Sequence, residues 1–164
     1  MDGVRPPISR KPSAGLSKSD FQIDPGMNFH NSLPASLLKE WRGYCSDGNL
    51  PARADFGMQT LRQYLGWICL LRVNPDRRDL VYSLIGTRIV DQVGRDNTGK
   101  AVSETLPPVA LDIYMQLLAE PRPVRTWGPV TWRNRDYLHQ ESLVLPLASD
   151  RRTVDQFIVL MMFY

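Results

Sequence analysis

The sequence predicts an α+β fold, in which a five-stranded antiparallel sheet has helices packed on one face. Apolar residues first recur at helical spacing and then change to short runs and alternations typical of strands. The turns between consecutive strands are short enough for hairpins, which join antiparallel neighbours. A nearly uninterrupted apolar run over residues 157–164 is typical of a strand that is covered on both sides.

The first 32 residues differ from the rest of the 164-residue chain. They are rich in Pro, Ser, Gly and Lys, and their apolar residues are isolated and follow no period. Such a composition is typical of a disordered tail. We therefore expect residues 1–32 to form a tail and residues 33–164 to form one domain of ordinary size.

Two helices are expected at the start of the domain. Pro34 suits the first turn of a helix, and Gly48 closes it. A second, shorter helix is expected over residues 57–66, after a break at Pro51. The first helix carries an apolar face that could pack across a two-fold axis; its residues are Leu37, Leu38, Trp41 and Tyr44. Such packing would make the protein a homodimer, and a homodimeric protein-interaction module with no ligand is one function that the sequence allows.

Strands follow the two helices. Residues 67–73 form a short apolar run that ends at Asn-Pro-Asp, and residues 79–86 complete a hairpin. Residues 87–119 are expected to be an insert of interrupted helices, the longest of which opens at a Pro-Pro pair. Three further strands complete the sheet, over residues 122–133, 137–147 and 154–164.

The sequence favours a cytoplasmic protein without a nucleic-acid or membrane partner. The net charge of +3 and the pI of about 9.0 are mildly basic, but the arginines are spread among acidic residues. Nucleic-acid-binding proteins usually cluster such charge on one face, so we expect no nucleic-acid partner. No segment reaches the ~20 apolar residues of a membrane span, and the start of the chain lacks the apolar run of a secretory signal.

Four short segments occur in a fixed order along the chain. Residues 50–56 (Leu-Pro-Ala-Arg-Ala-Asp-Phe) match L-P-x-R-x-D-F/I, and residues 82–89 match Y-R-L-x-G-T-x-I except at one position. Residues 95–100 match R-D-L-T-G-K except at one position, and residues 141–148 match E-x-L-x-L-P-L-S closely. With the order of the elements, these segments resemble a proteobacterial group of short single-domain PAS proteins over about residues 36–164.

The resemblance implies a PAS fold that encloses a small cavity between the sheet and the helices. It also implies a sensory or regulatory domain that binds a small molecule or a partner protein and relays a signal to a separate effector protein. Two departures from the pattern stand out. Ser83 replaces an arginine, and Asn97 replaces a leucine.

Six residues are the candidates for ligand binding. Aromatic rings between a sheet and its helices could line a pocket for a small apolar ligand, although plain core packing is the favoured interpretation. Trp127 and Trp132 are five positions apart, so a regular strand places them on opposite faces. Arg88 could hold a ligand carboxylate or phosphate, or pair with Asp91. The full set is Tyr82, Arg88, Tyr114, Trp127, Trp132 and His139.

The sequence contains few residues that could form a catalytic or metal-binding site. His139 and Glu141 share a strand face and could form an acid–base couple, but a surface pair is favoured. The insert contains neither a histidine for haem nor a cysteine for a flavin adduct, which argues against both. A small isomerase or dehydratase is kept as an alternative, with Asp55, Asp91 and Glu141 as its available carboxylates. The sequence therefore predicts no catalytic residue, no metal site and no enzyme.

Overall fold

A computed structural model describes residues 22–130 and 138–164 of the chain. The described strands are β1 (Gln22–Ile23), β2 (Ile68–Val73), β3 (Leu80–Ile85), β4 (Val124–Pro129), β5 (His139–Leu147) and β6 (Gln156–Phe163). The described α-helices are α1 (Ser32–Tyr44), α2 (Met58–Leu61), α3 (Thr87–Val93), α4 (Val102–Thr105) and α5 (Pro108–Ala119). Two short 3₁₀ turns, Arg53–Asp55 and Leu65–Trp67, flank α2.

The described strands form a single antiparallel sheet in the order β1-β4-β5-β6-β2-β3. The predicted α+β class, the antiparallel sheet and its five long strands are confirmed, and the two-residue β1 adds a sixth strand at one edge. In the centre, Leu143 of β5 lies opposite Leu160 of β6. Both faces of β6 are buried, as its apolar run predicts, because alternate residues such as Phe157 and Ile158 enter separate cores.

Helices cover both faces of the sheet, whereas the sequence predicted helices on one face. The insert of α3, α4 and α5 packs on the first face, which we call the insert face, around Val144, Phe157 and Val159. Helix α1 and the segment that carries Phe56 and Tyr64 pack on the second face. The burial of β5 and β6 explains the difference, because no residue of either strand is exposed and both faces of each strand therefore need cover.

Residues 22–31 belong to the folded part of the structure, although the sequence placed the end of a tail at residue 32. Gln22 and Ile23 pair with β4, and Phe29 packs against the core of the second face. We call residues 22–31 the N-terminal strap. The sequence did not reveal it because its contacts are with residues distant in the chain, so no local period marks them.

Helix boundaries follow local backbone chemistry. Helix α1 ends at Tyr44 rather than near residue 47, because Cys45 adopts extended backbone angles, φ −70° and ψ 133°. Gly48, expected to end the helix, occupies a left-handed position (φ 75°) in the next turn. The predicted helix 57–66 is broken into α2 and a 3₁₀ turn. Within the described ranges, no helix combines the length and apolarity that crossing a membrane would require.

Candidate functional site

Two small chambers lie between the sheet and the helical insert. The first has a volume of about 60 Å³ and the second about 90 Å³. The first is bounded by α5 and by strands β2, β4, β5 and β6, and the second by α3, the following loop and β3. Four side chains border both chambers and therefore form the partition between them: Cys69, Tyr82, Leu106 and Met161.

The titratable groups around the chambers are held in their neutral forms. Burial raises the pKa of the Tyr82 phenol to about 12, although a hydrogen bond from Thr105 opposes this shift. Burial likewise raises the pKa of the Cys69 thiol to about 12. Burial also raises the pKa of Tyr114, whose ring packs edge-on against Phe157 with centroids 5.2 Å apart. At neutral pH these walls therefore present a thiol and two phenols, without a buried charge.

One end of the first chamber is polar. Thr126, Gln140 and Ser142 reach it because alternate residues of β4 and β5 point to the insert face. The hydroxyl of Ser142 donates to Gln140 Oε1 at 2.8 Å. The Thr126 side chain is 2% exposed, and its Oγ1 has no hydrogen-bond partner in the described part of the chain. Buried polar atoms usually have a partner, so this hydroxyl is available to a bound molecule.

The second chamber has its own polar wall. Asn97 lines it, is 8% exposed, and its Oδ1 has no hydrogen-bond partner among the residues described. Arg95 lies at the rim of the same chamber and is exposed to solvent. Tyr82 Oη, which lies 3.3 Å from Thr105 Oγ1, faces the chamber from β3. Each chamber therefore combines apolar walls with a buried oxygen that has no partner within the described ranges.

The structure brings two of the six candidate ligand residues to the chambers. Tyr82 borders both, and Tyr114 borders the first. Trp127 lies opposite Glu141 in the sheet and so points to the second face, away from the chambers. Arg88 is exposed, and its guanidinium lies over the Trp67 ring at 5.3 Å from the centroid.

The remaining two candidates are elsewhere. His139 pairs with Tyr164 at the end of the sheet, where the rings stack with centroids 5.7 Å apart on the second face. The backbone of β5 places His139 on the same side as Glu141, because the two are two residues apart. Trp132 lies outside the described residues.

A buried ionic network occupies the second face, directly behind the polar end of the first chamber. Glu141 is 0% exposed and receives two hydrogen bonds from Arg125, from Nε at 3.2 Å and from Nη2 at 2.8 Å. The strap completes the network. The backbone amides of His30 and Asn31 donate to Glu141 at 2.9 and 2.8 Å, and Asp24 accepts from Arg125 Nη1 at 3.0 Å.

The hydrogen bonds of this network determine the charge state of Glu141. Burial alone would raise the pKa of its carboxyl, but the hydrogen bonds from His30, Arg125 and Asn31 outweigh burial, and the pKa is lowered. Glu141 is therefore ionised and fully engaged, so the expectation of a surface His139–Glu141 pair is wrong. The sequence could not show this, because the partners of Glu141 lie 16 and more than 100 residues away.

The three carboxylates of the enzyme alternative do not meet at the chambers. Asp55 forms an ion pair with Arg151, which also donates to Asp55 Oδ1 from Nη2 at 3.0 Å. Asp91 is exposed on α3, and Glu141 lies on the second face. Over residues 22–130 and 138–164, no three His, Cys, Asp or Glu side chains converge in a way that would hold a metal ion.

The residues expected at a dimer interface are core residues of this chain. Leu37, Leu38 and Trp41 are 0%, 4% and 6% exposed and pack against the second face of the sheet. The indole Nε1 of Trp41 donates to the carbonyl oxygen of Pro146 at 2.9 Å. Tyr44 is half-buried and packs edge-on against Phe56. Homodimerisation stays a prediction from the sequence, and these buried positions do not support it.

Sequence reasoning missed the polar residues of the chambers. Asn97 was noted only as a departure from leucine, and Thr126, Gln140 and Ser142 were not singled out. A signal for the last three was present. Polar residues at alternate positions of β4 and β5, on the face that Val144 shares, indicate a polar patch within a buried sheet.

An antiparallel sheet with a helical insert over one face and two small internal chambers defines an α+β domain with an enclosed space between its layers. Comparison with known families is more specific. The sequence profile of the PAS domain family matches residues 29–162, which is most of the chain, and the protein belongs to this family. The family of the resemblance is thereby confirmed, and the match includes the end of the strap.

Comparisons with individual proteins add little to the family assignment. No curated protein gives a significant match. Among solved structures, one described as the structure of an RNA-binding light-oxygen-voltage receptor is similar over 72% of this chain, with 14% identity and a TM-score of 0.48. The similarity spans only 35% of that receptor chain.

Proposed function

We propose that this PAS domain is a sensor that binds a small molecule in the two chambers and relays its binding to a separate partner protein. The observation that carries the proposal is the pair of chambers, each with apolar walls and a buried oxygen that has no partner among residues 22–130 and 138–164. Apolar cavities with a few convergent polar groups are typical of small-molecule sites.

The sheet offers a path from the chambers to the strap. Thr126 faces the first chamber, while the preceding residue, Arg125, faces the ionic network on the other side. On the next strand, Gln140 and Ser142 face the chamber, and Glu141 between them holds the strap. A ligand that draws the chamber residues toward it therefore shifts the backbone that also carries the strap contacts.

A screen of uncharged metabolites by thermal unfolding tests the binding step. A compound at about 100 times its Kd stabilises the folded state by about 2.7 kcal/mol. For a domain of this size that corresponds to a rise in unfolding temperature of roughly 5–10 °C. We expect at least one compound to produce such a shift with the intact chain.

A matched pair of variants on α5 assigns the shift to the chambers. Ala110 is 2% exposed and lines the first chamber, whereas Ala119 is exposed on the same helix. Ala110→Leu should abolish the shift because the larger side chain fills the chamber, and Ala119→Leu should preserve it. A screen without a hit, or an Ala110→Leu variant that responds like the wild type, contradicts the proposal.

Hydrogen exchange tests the relay step. A compound found in the screen should change the exchange rates of the amides of His30 and Asn31, which donate to Glu141. Unchanged exchange throughout the strap, at a ligand concentration that saturates the chambers, contradicts a relay through the sheet.

A further inference from the structure

We propose that Asn97 selects the ligand, and that the chambers take a neutral aromatic molecule of phenol to indole size that carries an O–H or N–H donor. This inference rests on the proposed function, because it names the ligand class of the same chambers. Three observations carry it: the polar group of the second chamber, the size of the two chambers and the neutrality of their walls.

Asn97 is a buried amide whose acceptor is unused. Asn97 is only 8% exposed, and its Oδ1 has no partner in the part of the chain that the structure describes. Such an atom costs free energy unless a partner reaches it. The pattern that residues 95–100 resemble has leucine here, so an apolar residue would fit the position. A carbonyl oxygen accepts and cannot donate, so the ligand must supply an O–H or N–H.

The size of the chambers limits the ligand to one or two fused rings. An apolar cavity of about 150 Å³ binds benzene, and neither chamber, at about 60 and 90 Å³, reaches that volume alone. A ring must therefore span both chambers and displace part of the partition. Two of the four partition residues, Leu106 and Met161, are flexible apolar side chains, and methionine adapts readily to the shape of its neighbours.

The walls favour an uncharged molecule. Tyr82, Tyr114 and Cys69 stay neutral at physiological pH, and the one arginine that lines the second chamber, Arg95, is exposed at its rim. Burying an ionised ligand between such walls would be costly. A carboxylate or a phosphate is therefore a poor occupant, and a phenol or an indole retains its donor without carrying a charge.

Two pairs of compounds of equal size provide the test. Phenol is compared with toluene, and indole with indene, because each pair differs chiefly in the donor. An apolar cavity without a polar partner prefers toluene and indene, since the donor loses its hydrogen bonds to water on entry. With Asn97 as partner, the intact chain should bind phenol and indole roughly 10-fold or more tightly than their donor-free partners, as measured by ligand-observed NMR titration.

Variants assign the preference to one residue. Asn97→Ala removes the acceptor and leaves the chamber open, so the preference should disappear or reverse while toluene and indene still bind. Asn97→Val serves the same purpose at nearly the original volume. Thr126→Val is the competing test, because Thr126 holds the unpartnered oxygen of the other chamber, and a preference that survives this change is assigned to Asn97. Gln116→Ala is the matched control, since it removes an exposed amide on α5 outside the chamber linings and should leave the preference in place.

The outcomes separate this inference from the function on which it rests. Equal binding within each pair, or a preference lost in Thr126→Val and kept in both Asn97 variants, overturns the role of Asn97 and leaves a ligand-binding domain. Binding of none of the four compounds overturns the ligand class. The proposed function is then tested separately by the wider metabolite screen.

Discussion

Replacing Glu141 with alanine should lower the free energy of unfolding by about 3–5 kcal/mol, the usual cost of removing one partner of a buried ion pair. The carboxylate receives five hydrogen bonds, two from Arg125 and three from the strap residues His30 and Asn31. The substitution leaves Arg125, which is 5% exposed, without its closer partner. Asp24 keeps one contact to Arg125 at 3.0 Å, so we expect a value in the lower half of the range.

Urea unfolding of both proteins, with the slope and midpoint fitted together, measures this change. For a domain of this size the expected loss also lowers the unfolding temperature by roughly 6–16 °C. Glu120→Ala is the matched control, because Glu120 is 85% exposed and its contact to Arg122 is 3.8 Å long. The control should stay within about 0.5 kcal/mol of the wild type. A loss below about 1 kcal/mol in Glu141→Ala would refute the conclusion that the buried hydrogen bonds of Glu141 stabilise the fold.

Three further results are expected. The lowered pKa of Glu141 contributes stability that is complete above the ordinary value of 4.5 and is lost as the pH falls through the folded value, so Glu141→Gln should flatten the acid side of a stability–pH curve. Gly86→Ala should cost about 1–3 kcal/mol in urea unfolding, because a Cβ would lie 2.6 Å from a backbone carbonyl oxygen, whereas Gly57→Ala meets nothing within 4 Å and should be neutral. In thiol labelling, Cys69 should react only on unfolding, since it is 4% exposed and its pKa is raised to about 12, whereas half-buried Cys45 should react first; equal rates for the two would contradict the buried placement.

The sheet was predictable from the sequence because its signals are local. Period-two alternation, short turns and the apolar run of β6 placed five strands within a few residues of their observed ends. The sixth strand and the strap were not predictable. Gln22 and Ile23 are too few to show a period, and the strap is held by Arg125 and Glu141, more than 100 residues away.

The cover of the second face was misjudged for a related reason. The apolar face of α1, with Leu37 and Trp41, was assigned to a partner molecule because an amphipathic helix does not reveal what it packs against. The helix packs on the sheet of its own chain, since β5 and β6 are buried on both faces and each face needs its own cover.

The candidate site was predictable only in part. Tyr82 and Tyr114 were selected as aromatic residues near the insert, and both border the chambers. Trp127 was selected by the same reasoning but lies away from the chambers, because its direction depends on strand register, which a sequence does not reveal when polar and apolar residues are buried on both faces. Asn97 carried a visible signal, a polar residue where the pattern has leucine.

The strap bears on how the protein should be shortened or tagged. A boundary at residue 33, or at the start of the family match at residue 29, discards Asp24 and with it one partner of Arg125. It also removes Met27, whose apolar side chain covers the second face. A shortened protein should therefore begin no later than residue 22, and an affinity tag belongs ahead of that position, where it leaves the edge pairing with β4 intact.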